Sequence, residues 1–95
     1  MMRRAEILVT GHVQGVLFRY YTEMRAEELG LGGTVSNLRD GGVHIVCEGD
    51  EEGIKKLIEW CERGPERAIV KRVDVTWKEY TGEFKYFRVL YRRAL

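Results

Sequence analysis

The segment Gly11–Arg19 combines residue types that together favour binding of a tetrahedral anion. It follows an apolar, strand-like stretch (Ile7–Val9) and ends where a helical pattern begins near Phe18. A glycine-bearing turn at the start of a helix points several backbone N–H groups at one place. Arg19 adds a planar, permanently charged group with several donors. Backbone amides beside a guanidinium suit a phosphate, so this segment is the candidate anion site.

The chain contains one glutamine and one asparagine, one within this segment and the other in the next predicted strand. Gln14 is the residue within the segment, and we expect its side chain to brace the loop through hydrogen bonds to the backbone. Asn37 lies in the next predicted strand, where it is a candidate polar group of the site. Its alternative role is to cap the turn that leads to Asp40 and Gly41. The alternative for Arg19 is a surface residue of the helix in a salt bridge.

Hydrophobic periodicity predicts the elements that must position these residues, in the order β-α-β-β-α-β followed by one extra strand. The predicted strands cover residues 5–11, 34–38, 43–48, 72–78 and 87–91. The first predicted helix covers residues 18–29, with an apolar stripe that includes Tyr21. The second runs from an N-cap at Asp50 to a stop at Gly64-Pro65. We expect the aromatic residues Tyr20, Tyr21, Trp60 and Trp77 in the core or at its edge.

This order of elements predicts an α+β fold, the ferredoxin-like split βαβ plait. Alternation of apolar and polar residues within the strands indicates an antiparallel sheet that is covered on one face. Two right-handed crossovers would place both helices on that face. We expect residues 1–95 to form a single domain. The same architecture serves enzymes, RNA-binding proteins and small-molecule sensors, so the function must come from the site.

Composition disfavours several classes of function. The formal net charge of this 95-residue chain is +1 although 33% of its residues are charged, which disfavours binding to nucleic acid or to an anionic membrane. The sequence shows no membrane-spanning apolar run and no apolar core of a signal peptide, so we expect a cytoplasmic protein. Cys47 and Cys61 fit no metal or redox spacing and are expected to be buried and reduced. Abundant Glu, Lys and Arg with scarce amides resemble a heat-adapted composition.

Two sequence signatures resemble those of the acylphosphatase family. The first, V/I/L-x-G-x-V-Q-G-V-x-F-R, is matched without exception by Val9–Arg19. The second, G-aromatic-small-x-N-x-x-x-G-x-V, is matched at Gly33, Val35, Asn37, Gly41 and Val43. Thr34 departs from it, because the family usually has an aromatic residue there, and Ser36 stands where a longer side chain is usual. The resemblance extends from about Ala5 to Tyr91.

This resemblance implies hydrolysis of the carboxyl–phosphate bond of acyl phosphates to a carboxylate and inorganic phosphate. It implies that Arg19 holds the phosphoryl group and that Asn37 orients the attacking water. It also implies phosphate binding by the backbone amides of Gly15, Val16, Leu17, Phe18 and Arg19. Gly11 and Gln14 would support the loop. The family uses no metal or cofactor, and the implied partners are an acyl phosphate substrate and phosphate as product or inhibitor. We expect a monomer that binds neither nucleic acid nor membrane.

Three alternative interpretations stay open at this point. His12 next to the loop could act as a general base, but the family pattern leaves its position variable, which favours a solvated or supporting histidine. The domain could be a sensor that binds an anion without hydrolysing it. It could also be a nucleic-acid-binding module, although Gly42–Val46 lacks the third-strand signature of such modules.

Overall fold

Five strands form one mixed sheet in the order β4-β1-β3-β2-β5. The computed structural model describes the backbone of residues 1–94 and the side chains of residues 1–91. The elements are β1 (Met2–His12), α1 (Phe18–Glu28), β2 (Gly32–Leu38), β3 (Val43–Asp50), α2 (Glu51–Arg63), β4 (Ile69–Lys78) and β5 (Phe87–Ala94). Neither α1 nor α2, the helices of the described chain, is long and apolar enough to cross a membrane.

The four strands of the plait are antiparallel to their neighbours, as the sequence pattern predicts. β3 pairs with β1 and with β2, and β4 pairs with the outer edge of β1. The extra C-terminal strand is present, but β5 runs parallel to β2, so the sheet as a whole is mixed rather than antiparallel. The reason is the path of residues 79–86. They leave the end of β4 at one edge of the sheet and cross that end of the sheet, and β5 then begins at the opposite edge beside β2.

The hydrophobic core lies between one face of the sheet and the two helices. Alternate residues of the central strands point into it, and all are fully or almost fully buried: Ala5, Ile7, Val9, Val35, Val43, Ile45 and Cys47. The helices contribute Phe18, Thr22, Ala26, Ile54, Leu57 and Cys61. Strands with every second side chain buried therefore pack against helices with an apolar residue at every third or fourth position. This is the burial pattern that the sequence predicts.

Several details differ from the predicted elements. β1, β2 and β4 begin earlier than expected and β3 ends later, because strand pairing extends through the glycines and charged residues that flank the apolar cores. Tyr20 and Tyr21 are exposed, so the prediction that they lie in the core or at its edge is wrong for both, whereas Trp60 and Trp77 pack, partly buried, against the core. Asp50 occupies the N-cap position of α2, but its side chain makes no capping hydrogen bond. It instead accepts a hydrogen bond from the amino group of Met1 at 3.0 Å.

The connection of residues 79–86 is fixed over the second face of the sheet by Glu48. This side chain is 2% exposed, and it accepts hydrogen bonds from the backbone N–H and hydroxyl of Thr81 and from the N–H of Gly82. Arg4 pairs with it at 2.9 Å and reaches Glu83 at 2.6 Å. Burial raises the pKa of Glu48, but the hydrogen bonds from Thr81 and Arg4 outweigh it, and the net shift is downward.

Candidate active site

The loop between β1 and α1 has an alternating backbone conformation. Gly15 has a φ of 75°, and Leu17 has a φ of 64° and a ψ of 26°, in the left-handed region. Leu17 is the one non-glycine residue of the described chain with a positive φ, so Val16 between them has a negative value. Successive residues of opposite handedness direct their N–H groups to the same side and form a concave anion site, often called a nest. The five residues Gly15–Arg19 are called the cradle below.

The N–H groups of the cradle are free to bind an anion. Leu17 is the N-cap residue of α1, and Phe18 and Arg19 are the first two residues of the helix. N–H groups at this position have no acceptor within the helix. Within the described part of the chain, no carbonyl or side-chain oxygen accepts a hydrogen bond from any of the five N–H groups of the cradle. The helix dipole adds partial positive charge at the same place.

Gly11 and Gln14 fix the β1 side of this loop. Gly11 has a φ of 135° at an irregularity in the pairing of β1 with β4, and a Cβ there would lie 2.1 Å from the carbonyl oxygen of Ile69. Only glycine fits this close approach. The amide nitrogen of Gln14 donates to the carbonyl oxygens of Leu38 at 2.7 Å and Gly42 at 2.9 Å. Gln14 therefore ties the cradle to the β2–β3 hairpin.

The side chain of Arg19 is held by β5. Its Nη1 donates to the carbonyl oxygen of Leu90 at 3.2 Å, and its guanidinium carbon lies 5.2 Å from the centre of the Tyr91 ring. A guanidinium carries five N–H donors, and the contacts among described residues use one of them. Arg19 forms no ion pair with a described side chain. This disfavours the surface salt bridge as the alternative role of Arg19.

Asn37 lies on the helix-facing side of β2, near the carboxyl end of the strand. Its cross-strand partner is Val43, and its side chain is half-buried. The turn that follows is held by other groups, because the N–H of Gly42 donates to the carboxylate of Asp40 at 2.9 Å and that of Gly41 to the carbonyl oxygen of Leu38. Asp40 therefore supplies the side-chain hydrogen bond that the turn-cap alternative assigns to Asn37.

One cleft of about 350 Å³ brings these groups together. It is lined by residues of the cradle, of α1, of β2 and of β5, among them Gly15, Leu17, Arg19, Glu23, Asn37 and Tyr91. A larger concavity of about 470 Å³ lies around Tyr21, Met24 and Trp60. It contains neither the cradle nor Asn37, so its greater size does not make it the site.

The sequence did not predict two groups that line the 350 Å³ cleft. Glu23 follows Arg19 by four residues, a spacing that could have indicated it, whereas the contact with Tyr91 has no local signal.

The remaining candidate residues do not line the cleft. His12 is exposed at the end of β1. Thr34 and Ser36 alternate with Asn37 along β2, so their side chains lie on the opposite face of the sheet from the cleft. Cys47 and Cys61 are free thiols, and both are buried. Burial raises the pKa of the Cys47 thiol to about 12 and also raises that of Cys61, so neither forms the reactive thiolate at neutral pH.

Within residues 1–91 no group of three or more His, Cys, Asp or Glu side chains is arranged to hold a metal ion. The cleft instead offers hydrogen-bond donors and one positive charge. A plait with two helices on one face, unpaired backbone N–H groups at the start of the first helix and an arginine beside them define a class of α+β domains whose candidate site is suited to a phosphate group.

Comparison with known proteins narrows this class to one family. The sequence model of the acylphosphatase family matches residues 5–89. An acylphosphatase of Pelotomaculum thermopropionicum is 47% identical over 88 residues, which are 93% of this chain and 96% of that protein. One of Methylococcus capsulatus is 49% identical, covering 94% and 97%. The crystal structure of acylphosphatase from Bacillus subtilis matches with a TM-score of 0.90 and 34% identity, covering 96% and 100%. The chain belongs to the acylphosphatase family.

Proposed function

We propose that this chain hydrolyses acyl phosphates in the cleft between the cradle, Asn37 and β5. The bond between phosphorus and the carboxyl oxygen breaks, a bond from phosphorus to a water oxygen forms, and a carboxylate and inorganic phosphate leave. The observation that carries this proposal is a cleft lined by both Arg19 and Asn37, next to the backbone N–H groups of Gly15–Arg19, which donate to no group among the described residues. Membership of the acylphosphatase family supports the same reaction.

The first step is binding of the phosphoryl group by the cradle. Phosphoryl transfer requires little covalent chemistry from the protein, and its catalysis depends mainly on positioning and on neutralising charge at the equatorial oxygens. The cradle amides and the free N–H groups of Arg19 supply both. Because Arg19 is already held by Leu90 and Tyr91, binding the anion costs little further ordering of this long side chain.

The second step is attack by a water molecule that Asn37 orients. A carboxamide both accepts and donates hydrogen bonds, so it can hold a water molecule in one orientation. Asn37 lies on the β2–β3 hairpin, and the phosphate binds at the cradle. Gln14 joins the hairpin to the loop through two hydrogen bonds, and this link sets the distance between the water molecule and phosphorus. The leaving carboxylate is stable without a proton, so the reaction requires no strong general acid. A sensor that only binds an anion has no need of Asn37.

Further properties belong to the same proposal. The reaction proceeds without a metal ion or cofactor, since the guanidinium and the amides supply the positive potential that a cation would give. The protein acts as a cytoplasmic monomer with no nucleic-acid or membrane partner, which agrees with its net charge of +1. Its composition is heat-adapted.

An assay in EDTA with acetyl phosphate beside an ordinary phosphate ester tests the reaction class. Hydrolysis of the acyl phosphate alone is expected, and hydrolysis that EDTA abolishes would contradict the metal-free mechanism.

Replacement of Arg19 and Asn37 tests the assigned roles. Arg19→Ala should lower kcat/KM by about 100- to 1000-fold, the typical loss of one preorganised donor, and should also abolish competitive inhibition by phosphate. Asn37→Ala should lower kcat strongly and leave the inhibition constant of phosphate within about threefold, because Asn37 holds water and not the anion.

Arg25→Ala is the matched control, since Arg25 lies on the same helix, is exposed and pairs with Glu28. It should keep both activity and phosphate inhibition. If Arg19→Ala behaves like this control, Arg19 does not bind phosphate. If Asn37→Ala loses phosphate affinity as fully as Arg19→Ala, Asn37 is a ligand of the anion rather than of water.

A further inference from the structure

Phe18 joins the cradle to the hydrophobic core. Its N–H is one of the cradle donors, and its side chain is buried, with 1% of the residue exposed. The Phe18 ring packs against the ring of Trp60 on α2, with 5.3 Å between the ring centres and an angle of 56° between the planes. Because tilted pairs of aromatic rings have a preferred geometry, this contact orients Phe18 as well as burying it.

The turn that ends α2 closes on the same ring. Gly64 has a φ of 71°, and a Cβ at this position would lie 2.8 Å from Cε2 of Phe18. The N–H of Gly64 donates to the carbonyl oxygen of Trp60 at 2.7 Å, which ties the turn to the tryptophan. Trp60 and Gly64 are together called the socket of Phe18 below.

The socket holds the α1 side of the cradle. Gly11 and Gln14 hold the β1 side, and Leu17 between the two sides has a left-handed backbone. A conformation of this kind persists only where the surrounding structure determines it from several directions. The carbonyl oxygen of Phe18 is held as well, since it accepts a hydrogen bond from the hydroxyl of buried Thr22 at 2.7 Å.

We propose that Trp60 is a positioning residue of the phosphate site, because it fixes the Phe18 ring and thereby the direction of the cradle N–H groups at the start of α1. This inference rests on the proposed function and adds a residue to the same site. Trp60 lines the larger concavity of about 470 Å³ and not the cleft, so it acts on bound phosphate through Phe18. Removal of its ring should therefore weaken phosphate binding although every group that touches phosphate is retained.

Binding of inorganic phosphate to Trp60→Leu tests this inference. Calorimetric titration measures the Kd of phosphate, and circular dichroism checks that the variant is folded. The Kd should rise about tenfold, and kcat/KM for acetyl phosphate should fall by about 10- to 100-fold, because a misplacement of about 1 Å is costly in a positioned site. Trp60→Phe keeps an aromatic ring against Phe18, so both values should stay within about threefold of the wild type.

Trp77→Leu is the matched control, because it removes the same side chain from the edge of the same core. Trp77 pairs with Ala5 near the start of β1, whereas the cradle follows the end of β1. Trp77→Leu should lower stability to urea, as Trp60→Leu does. It should leave the Kd of phosphate within about twofold, since distant sites without shared partners act independently.

The double variant Phe18→Leu with Trp60→Leu locates the effect in the contact between the two rings. Phe18→Leu retains the cradle N–H but removes the ring, so it should raise the Kd of phosphate by itself. Addition of Trp60→Leu should then change the Kd little, because both substitutions remove the same contact.

The outcomes separate the inference from the proposed function. If the wild type binds phosphate and hydrolyses acetyl phosphate but Trp60→Leu has the same Kd, or only the change seen in Trp77→Leu, the inference is wrong and the proposed function stands. Additive effects of Phe18→Leu and Trp60→Leu would also overturn it. If Trp60→Leu does not fold, Trp60→Met, whose flexible side chain fills the gap without a planar ring, takes its place with the same expected result. If the wild type neither binds phosphate nor hydrolyses acetyl phosphate, the proposed function fails and the inference fails with it.

Discussion

Leu17 shows how one residue can hold a strained backbone for a binding site. Its left-handed conformation is the second half of the alternation that turns the cradle N–H groups to one side. A residue with a Cβ accepts this conformation at a cost of about 1–2 kcal/mol. The exposed side chain of Leu17 makes no buried contact that would compensate locally, so the surrounding structure maintains the strain, through Gly11 near the end of β1 and Gln14 in the first part of the loop.

Two substitutions of Leu17 measure this strain. At an ordinary position glycine is less stable than alanine by about 0.5–1 kcal/mol because it gains more freedom in the unfolded chain. At residue 17 we expect the opposite order: Leu17→Gly should be more stable than Leu17→Ala by about 0.5–1 kcal/mol, because glycine alone adopts a φ of 64° without steric conflict. Chemical denaturation of both variants measures the difference. A more stable alanine variant would mean that the left-handed conformation at residue 17 carries no strain.

At the scale of elements, the sheet has two ends with different tasks. The carboxyl ends of β1 and β2 carry the cradle and Asn37. The other end carries the connection of residues 79–86, which Glu48 and Arg4 hold across the sheet. This connection determines where β5 begins, and β5 in turn supplies the Leu90 and Tyr91 contacts to Arg19. Glu48 therefore supports the site through the placement of a strand, without contact with the cleft.

Loss of the Glu48 charge should weaken this connection and change how stability depends on pH. Glu48→Gln should lower the free energy of unfolding at pH 7 by about 2–3 kcal/mol, because it breaks a buried, hydrogen-bonded ion pair. The pKa of Glu48 is lowered by folding, so the unfolded carboxylate takes up its proton first and the wild type loses stability as pH falls below about 4.5, the ordinary value. The free energy of unfolding of Glu48→Gln should fall less than that of the wild type over the same pH range.

Urea denaturation between pH 3 and 7 measures both effects. Glu59→Gln, at an exposed position of α2, is the control and should follow the wild-type curve. A Glu48→Gln variant with the same pH dependence as wild type would show that folding does not shift the titration of this carboxyl group.

The elements and the site differ in how far the sequence predicts them. Periodicity predicts the order of strands and helices, because buried and exposed positions alternate within each element. The cradle is also predictable, since its donors belong to one continuous segment. The parallel pairing of β5 depends on Glu48 and Arg4, which lie over 30 residues from Thr81 in sequence, and no local pattern encodes such a contact. The hydrogen bond from Arg19 to the carbonyl oxygen of Leu90 is missed for the same reason. The exposure of Tyr21 depends on the rotation of α1 about its axis against the sheet, which tertiary packing determines.

For the whole molecule, the charged residues form pairs and small networks rather than a field of one sign. Glu51 contacts both Arg3 at 3.0 Å and Lys55 at 3.1 Å, and Glu6 contacts Lys78 and His44. Each exposed pair contributes little at 25 °C. Networks contribute more as temperature rises, because the cost of removing water from charged groups falls. The scarcity of Asn and Gln removes residues that degrade on heating.

We therefore expect thermal unfolding well above the range of about 45–65 °C in which domains of moderate-temperature organisms unfold. Differential scanning calorimetry at low ionic strength measures the Tm. The double variant Arg3→Gln with Lys55→Gln removes both partners of Glu51 and should lower the Tm by several degrees, whereas Lys56→Gln, an exposed neighbour on α2, should leave it nearly unchanged. A wild-type Tm inside the moderate range would contradict heat adaptation. An unchanged Tm in the double variant would show that the ion-pair networks are not the source of the high Tm. The source would then be the core that α1 and α2 form with the sheet.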